Sequence, residues 1–207
     1  MDVTDTSAGP LPGQVAAASF RDRLLDGLRV SIEERGYQET TITDIVRHAR
    51  ASRRTFYVVF STKDECFVAL MQAAHRRLTR RIEDAVDLTA PWEAQARAAV
   101  EAYVHQVAGE PGLSRSWVRE FPALGAVARD VQRDSMNDLA SLVRRLSDNA
   151  AFRDAGLAPV SRELALVILG GLRELTATVI EEGGDVRDVL EPAVAATLAL
   201  LGSAREG

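Results

Sequence analysis

From residue 19 onward the apolar positions recur at spacings of three and four. Phe20, Leu24, Leu28 and Ile32 lie four apart on one stripe, with Arg21, Asp22, Arg29 and Glu33 off it. This spacing predicts a helix over 19–36, which Ser19 can cap and Gly36 can end. Thr41 followed three places later by Asp44 has the form of a capping box and opens a short helix over 41–49. Ser52 can cap a second short helix that runs to residue 60. Thr62 and Glu65 form another capping box, ahead of a long helix in which Phe67, Leu70, Met71, Ala74, Leu78, Ile82 and Ala85 share a face.

The remainder carries the same periodicity. Helices are expected over 91–108, with Pro91 in the first turn, over 113–120, from Pro122 to residue 146, and over 161–182. Gly109, Pro111 and Gly112 break the first of these, and Gly183 and Gly184 end the last. A final helix carries Val194, Leu198 and Leu201, with Pro192 in its first turn or kinking it. No strand-like alternation and no internal repeat stands out. The expected fold is all-α: an N-terminal three-helix bundle, followed by a larger C-terminal helical domain. Residues 1–18, with Gly9, Pro10, Pro12 and Gly13 and little periodicity, read as a flexible N-terminal arm. The bundle is placed over 19–65 and the second domain over 66–207.

Composition adds boundaries. The 207 residues are 46% hydrophobic and 27% charged, ordinary for a globular protein and long enough for an unstapled core. The lone Cys66 excludes an intrachain disulfide and a cysteine-based zinc framework. The start of the chain lacks the basic residues of a signal peptide. The strongest apolar run, 164–172, falls well short of the roughly 20 residues that span a bilayer. A cytoplasmic protein without membrane attachment is expected.

The formal net charge of -5 argues against nucleic acid as a partner, but charge is not spread evenly. Between residues 19 and 63, nine basic residues stand against six acidic ones, leaving +3 there and −8 on the rest. From Arg47 to Lys63 there are five positive charges and no acid. Lys63 is the only lysine, the other 24 basic residues being arginine.

Within that basic stretch, two short helices are joined by a tight turn over 49–51. This is the spacing of a helix-turn-helix, in which the first residues of the second helix enter the major groove. Arg53 and Arg54 can reach guanine O6 and N7, or a phosphate, and which of the two reads a base stays open. Thr41, Thr43, Ser52, Thr55 and Tyr57 can donate to phosphates. The alternatives are a solvated arginine pair and a core tyrosine.

In this stretch the sequence resembles the TetR family of bacterial repressors. Thr41, Ile42, Asp44, Ile45, Ala49, Ser52, Thr55, Tyr57, Phe60, Lys63 and Asp64 fall in register with the family pattern, and the likeness covers roughly residues 20–67. The chain departs from it at Val46, in place of alanine, and at Arg50 and Ala51, in place of glycine and valine. Phe67 stands one place later than the usual leucine. A non-glycine with positive φ at the turn costs about 1 kcal/mol. The resemblance implies that Lys63 neutralises a phosphate from the start of the fourth helix. It also implies that the ring of Tyr57 packs under the motif with its hydroxyl on a phosphate, while Phe56 and Phe60 belong to the core.

The resemblance further implies that the C-terminal domain forms a homodimer and an effector pocket. Two recognition helices meet successive major grooves only in a dimer, and the last two helices are the natural seam. The run over 164–172 is apolar all round, and Gly170 and Gly171 would allow close approach. Ligand-lining candidates are Tyr103, His105, Trp117, Phe121 and Met136. Trp92 and Phe152 stand beside them, and Arg119 and Glu120 could supply convergent polar groups. Plain core packing is the alternative for each aromatic. His48, His75 and His105 lack the spacing of a metal pair, and no phosphate loop or nucleophile motif appears, so no catalytic residue, metal or cofactor is expected.

The leading expectation is a ligand-responsive dimeric repressor. It would bind a palindromic double-stranded DNA operator and be released by a small-molecule effector. The alternatives are a helical small-molecule-binding protein or enzyme with a structural N-terminal bundle, and a transcriptional activator.

Overall fold

The computed structural model describes residues 12–203. Among them the regular elements are ten α-helices and two short 3-10 turns, with no strand. The chain divides into two compact units between Leu70 and Met71.

The first unit holds α1 (Pro12–Glu39), α2 (Ile42–His48), α3 (Arg53–Val59) and the beginning of α4 (Lys63–Ala85). Helix α1 begins earlier than Ser19. Residues 12–18 of the expected arm are helical, whereas 1–11 lie outside the described residues. Pro12 loses no hydrogen bond in a first turn, and Ala16, Ala17 and Ala18 are strong helix formers, which outweighs the nearby glycine. The helix breaks at Gly36, where φ 79° and ψ 165° lie in a region open almost only to glycine. Leu24, Leu28 and Ile32 are completely buried on its inner face.

Gly27 sets how closely α1 and α2 pack. A Cβ there would stand 2.5 Å from the carbonyl oxygen of Ile45 and 3.0 Å from the Ala49 nitrogen. Across the α2–α3 turn, the Ala51 amide donates to the Val46 carbonyl at 2.9 Å and the Arg50 amide to Arg47 at 3.3 Å. This is a Schellman closure with Arg50, at φ 48°, in the left-handed position that glycine usually fills. The departure noted in the sequence therefore sits where the backbone demands it.

The second unit is built from the rest of α4 with α5 (Trp92–Gly109), α6 (Pro111–Arg119), α7 (Ala126–Ser147), α8 (Ala150–Asp154), α9 (Arg162–Glu181) and α10 (Leu190–Gly202). Helix α7 packs on α9, α6 on α9, and α10 on α5. Leu142, Val104, Ala165 and Val194 are among its most deeply buried side chains. Helix α6 starts at Pro111 rather than residue 113, because proline suits a first turn. Pro122 belongs to a 3-10 turn over Phe121–Leu124, and α7 begins only after Gly125, whose φ is 90°. Helix α8, which periodicity is too short to reveal, is fixed by the Asn149 side chain accepting from the amides of Ala151 and Phe152.

Candidate DNA-reading head and effector cavity

In the first unit, the reading head is assembled by its caps. The Thr41 hydroxyl donates to the Asp44 carboxylate at 2.7 Å, and the Asp44 amide donates back to that hydroxyl at 3.3 Å. The hydroxyl proton of Thr41 is thus spent on its own helix. Bonds from Thr41 hold the Asp44 carboxyl below the usual carboxylate range. Asp44 also draws in Arg35 at 3.3 Å and Arg47 at 3.5 Å, while His48 stands 3.2 Å from Glu34. The flank of α2 is therefore a charge-matched network.

The start of α3 differs. Ser52 caps it by accepting from the Thr55 amide at 3.0 Å, and the two hydroxyls lie 2.9 Å apart. One proton closes that pair, so the other is left to point outward. Ser52, Arg53 and Arg54 are exposed. Among the described residues, no carboxylate lies within salt-bridge distance of Arg50, Arg53 or Arg54. Thr43 is exposed on α2. Phe56 is completely buried and Phe60 nearly so, as expected of core residues. Tyr57 is 52% exposed and touches Phe56 edge-on, so it lies outside the core with its hydroxyl accessible. Val58, which the sequence reading passed over, is 78% exposed. It follows Arg54 by one helical turn, the one signal that could have drawn attention to it.

Lys63, for which the resemblance implies a phosphate contact, also has partners within the first unit. Its ammonium donates to the carbonyls of Tyr37 at 3.0 Å and Thr40 at 2.9 Å, and lies 4.2 Å from the centroid of the Tyr37 ring. The same tyrosine stacks on Phe67 at 3.9 Å and donates its hydroxyl to Asp64. Lys63 thus ties the end of α1 to the start of α4, and any phosphate contact would be added to that tie.

The second unit contains a cavity of ≈ 110 Å³. Of the ligand-lining candidates, Tyr103, Trp117 and Met136 face it, together with Met71, Leu78, Val107, Leu139 and Leu169. Phe121 does not: it is completely buried behind Trp117, on which it stacks at 5.0 Å. His105 does not either, and that expectation is corrected. It lies two places after Tyr103 on α5, a rotation of roughly 200° that turns it to the exposed face. Arg119 is also directed elsewhere, donating to Glu174 at 3.1 Å and to Glu181 at 3.0 Å on the surface. Trp92 packs against Phe152 at 6.0 Å, away from this cavity.

Besides Tyr103, the polar groups at the cavity are ones the sequence reading did not assign to it. Gln106 donates through Nε2 to Glu110 at 2.8 Å, and Arg77 lies 3.4 Å from the same carboxylate. Arg173 projects from α9, and His75 from α4 stands 3.5 Å from Asp138. Burial pulls the His75 pKa down, with Asp138 opposing. Burial likewise raises that of the Tyr103 phenol, which is bonded to Thr176. Tyr103 and Leu169 also line a second, apolar cavity of ≈ 80 Å³ on their other side. Among the described residues, no helix is long and apolar enough to cross a membrane.

Residues 24–70 match the model of the family described as bacterial regulatory proteins, tetR family. No curated protein matches the chain in sequence. Among solved structures, a TetR-family transcriptional regulator from Pectobacterium atrosepticum is 28% identical, with 94% of this chain and 98% of that one covered at a TM-score of 0.69. The fatty acid degradation regulator FadR from Bacillus halodurans is 20% identical, covering 97% of this chain and 100% of its own at 0.68. The transcriptional regulator FadR from Bacillus subtilis, solved in complex with stearoyl-CoA, is 16% identical, covering 87% and 98% at 0.70. Over residues 24–70 the chain is thus similar in sequence to the tetR family of bacterial regulatory proteins, and over nearly its whole length it shares the fold of TetR-family transcriptional regulators.

Proposed function

We propose that the chain is a ligand-responsive repressor that binds a palindromic operator as a homodimer and releases it when a small molecule fills the second unit. The observation that carries this reading is the cavity of ≈ 110 Å³, whose lining residues all belong to the second unit. A ligand there can alter DNA affinity only by favouring one dimer state over another. The complex of the Bacillus subtilis regulator with stearoyl-CoA supports an effector role for such a unit.

Arg53, Arg54, Tyr57 and one hydroxyl of the Ser52–Thr55 pair are the groups assigned to DNA, with Thr43 on the flank. Thr41 and Lys63 position them through the contacts described above. For the dimer seam, Val167 is 59% and Leu175 38% exposed on α9, with exposed Gly171 between them one turn from each. Exposed Ala195, Ala196 and Ala199 lie on α10. An apolar and small-residue stripe of this kind suits close packing against a second copy.

Selecting bound fragments from genomic DNA with the purified protein tests the reading. A palindromic site with half-sites about one helical turn apart is expected, together with a dimer by sedimentation. Binding without sequence preference, or a monomer that binds its site at full affinity, would overturn it.

A further inference from the structure

Two polar atoms in the cavity wall are buried and have no partner: Oε1 of Gln106 and Nε of Arg173. The orientation of the Gln106 amide is not arbitrary. Its Nε2 donates to the Glu110 carboxylate at 2.8 Å, and a flipped amide would set carbonyl lone pairs against that carboxylate. Oε1 is therefore a fixed acceptor waiting for a donor. The Nε–H of Arg173 is a fixed donor waiting for an acceptor.

The charges of the wall point the same way. Its acid, Glu110, stands beside Arg77 at 3.4 Å. Its cation, Arg173, has no carboxylate within 4.0 Å among the described residues. His75 is turned to Asp138 and Tyr103 to Thr176, so neither opposes an anion. Ser114 and Ser135 also line the wall, and the remainder is largely apolar, including Trp117, Met136, Leu78 and Leu139. The volume of ≈ 110 Å³ is of the same order as the roughly 150 Å³ of an engineered protein cavity that accepts benzene. The space suits the apolar part of one ring or a short branched chain, with its polar group held at the wall by Gln106 and Arg173, not a long hydrocarbon.

We propose that the cavity takes a compact apolar carboxylate that also bears a hydrogen-bond donor, such as an aryl hydroxy acid. The carboxylate accepts from Arg173, and the hydroxyl donates to Gln106. This rests on reading the second unit as the effector domain, and it narrows that reading to one ligand chemistry. A half-buried guanidinium pairs with a carboxylate through charge-assisted bonds, and a buried acceptor left unpaired penalises any ligand without a donor.

The test is calorimetric titration of the full chain with four probes that share one ring: 3-phenyllactate, 3-phenylpropanoate, 2-phenylethanol and 2-phenylethylamine. Phenyllactate should bind most tightly. Phenylpropanoate should follow about tenfold weaker, and the alcohol and the amine about a hundredfold weaker. Arg173→Met should erase the preference for acid over alcohol, and Arg173→Lys should restore part of it. Gln106→Met should erase only the preference for the hydroxy acid over the plain acid.

The proposal falls if the alcohol or amine binds as tightly as the acids, if no probe binds at millimolar concentration, or if Arg173→Met binds phenyllactate unchanged. Operator affinity measured alongside separates the two readings. Acid binding that leaves DNA affinity untouched keeps the ligand class and sinks the effector role. Release of DNA by the amine alone does the reverse.

Discussion

The ammonium of Lys63 sits 3.0 Å from the carbonyl oxygen of Tyr37 and 4.2 Å from the centroid of the same residue's ring. The only lysine of the chain thereby closes the end of α1 onto α4. Lys63→Met removes a charged donor from two carbonyls, and a cost of about 1–3 kcal/mol in stability is expected. Urea unfolding followed by circular dichroism measures it. A variant that lost DNA affinity with an unchanged urea midpoint would show the tie to be unimportant to the fold.

Arg53→Ala combined with Tyr57→Ala should act oppositely. Both side chains are exposed, so the urea midpoint should hold while operator affinity falls by about a hundredfold or more. Fluorescence anisotropy with a labelled operator reads the loss.

Arg50 has φ 48° and is the only described non-glycine residue with positive φ. Arg50→Gly should raise stability by about 1 kcal/mol, since glycine carries no Cβ penalty there. Gly27→Ala is the counter-case, because its Cβ would meet the Ile45 carbonyl oxygen at 2.5 Å. The backbones of α1 and α2 would have to separate, and the melting temperature should drop by several degrees in a differential scan.

Much of this fold is legible in the sequence because caps and periodicity are local. Thr41, Ser52 and Ser161 cap the helices they were expected to cap, and Gly36 breaks the chain where a left-handed residue was expected. The glutamate of the third box, Glu65, reaches one residue further back than expected, to the amide of Ser61 at 2.7 Å. The cavity was only partly legible. Tyr103 and Trp117 stand out as aromatics, but which face of α5 turns inward depends on packing from other helices, and this is what misplaced His105. Gln106 and Arg173 were passed over because the property that marks them, a buried polar atom without a partner, exists only once distant helices enclose it.

The pH dependence of stability should carry the mark of His75. Burial, the larger influence, lowers its pKa in the folded chain below the ordinary value, and Asp138 only partly opposes this. The unfolded chain therefore takes up the proton first as pH falls. Stability is at its full value above about pH 6.5 and declines below it, toward the folded-state pKa. His75→Gln should flatten the urea midpoint between about pH 7 and 5 relative to the parent.

Cys66 is completely buried, and burial pushes its thiol pKa up to about 12. The native protein should react with a thiol reagent only through opening, so labelling should be slow in buffer and fast in urea. Rapid labelling of the native chain would show the α4 start to be open.

Val58 stands 78% exposed one turn beyond Arg54 on a helix whose neighbouring face is cationic. An isopropyl group at that place can recognise nothing in a base pair except the C5-methyl of thymine. Such a contact senses a methyl group rather than a base. An operator with uracil in place of thymine would lose it, and one with 5-methylcytosine at the same position would supply it again. Through Val58, the reading head would be sensitive to chemical marking of its own operator, a property that its arginines alone do not confer.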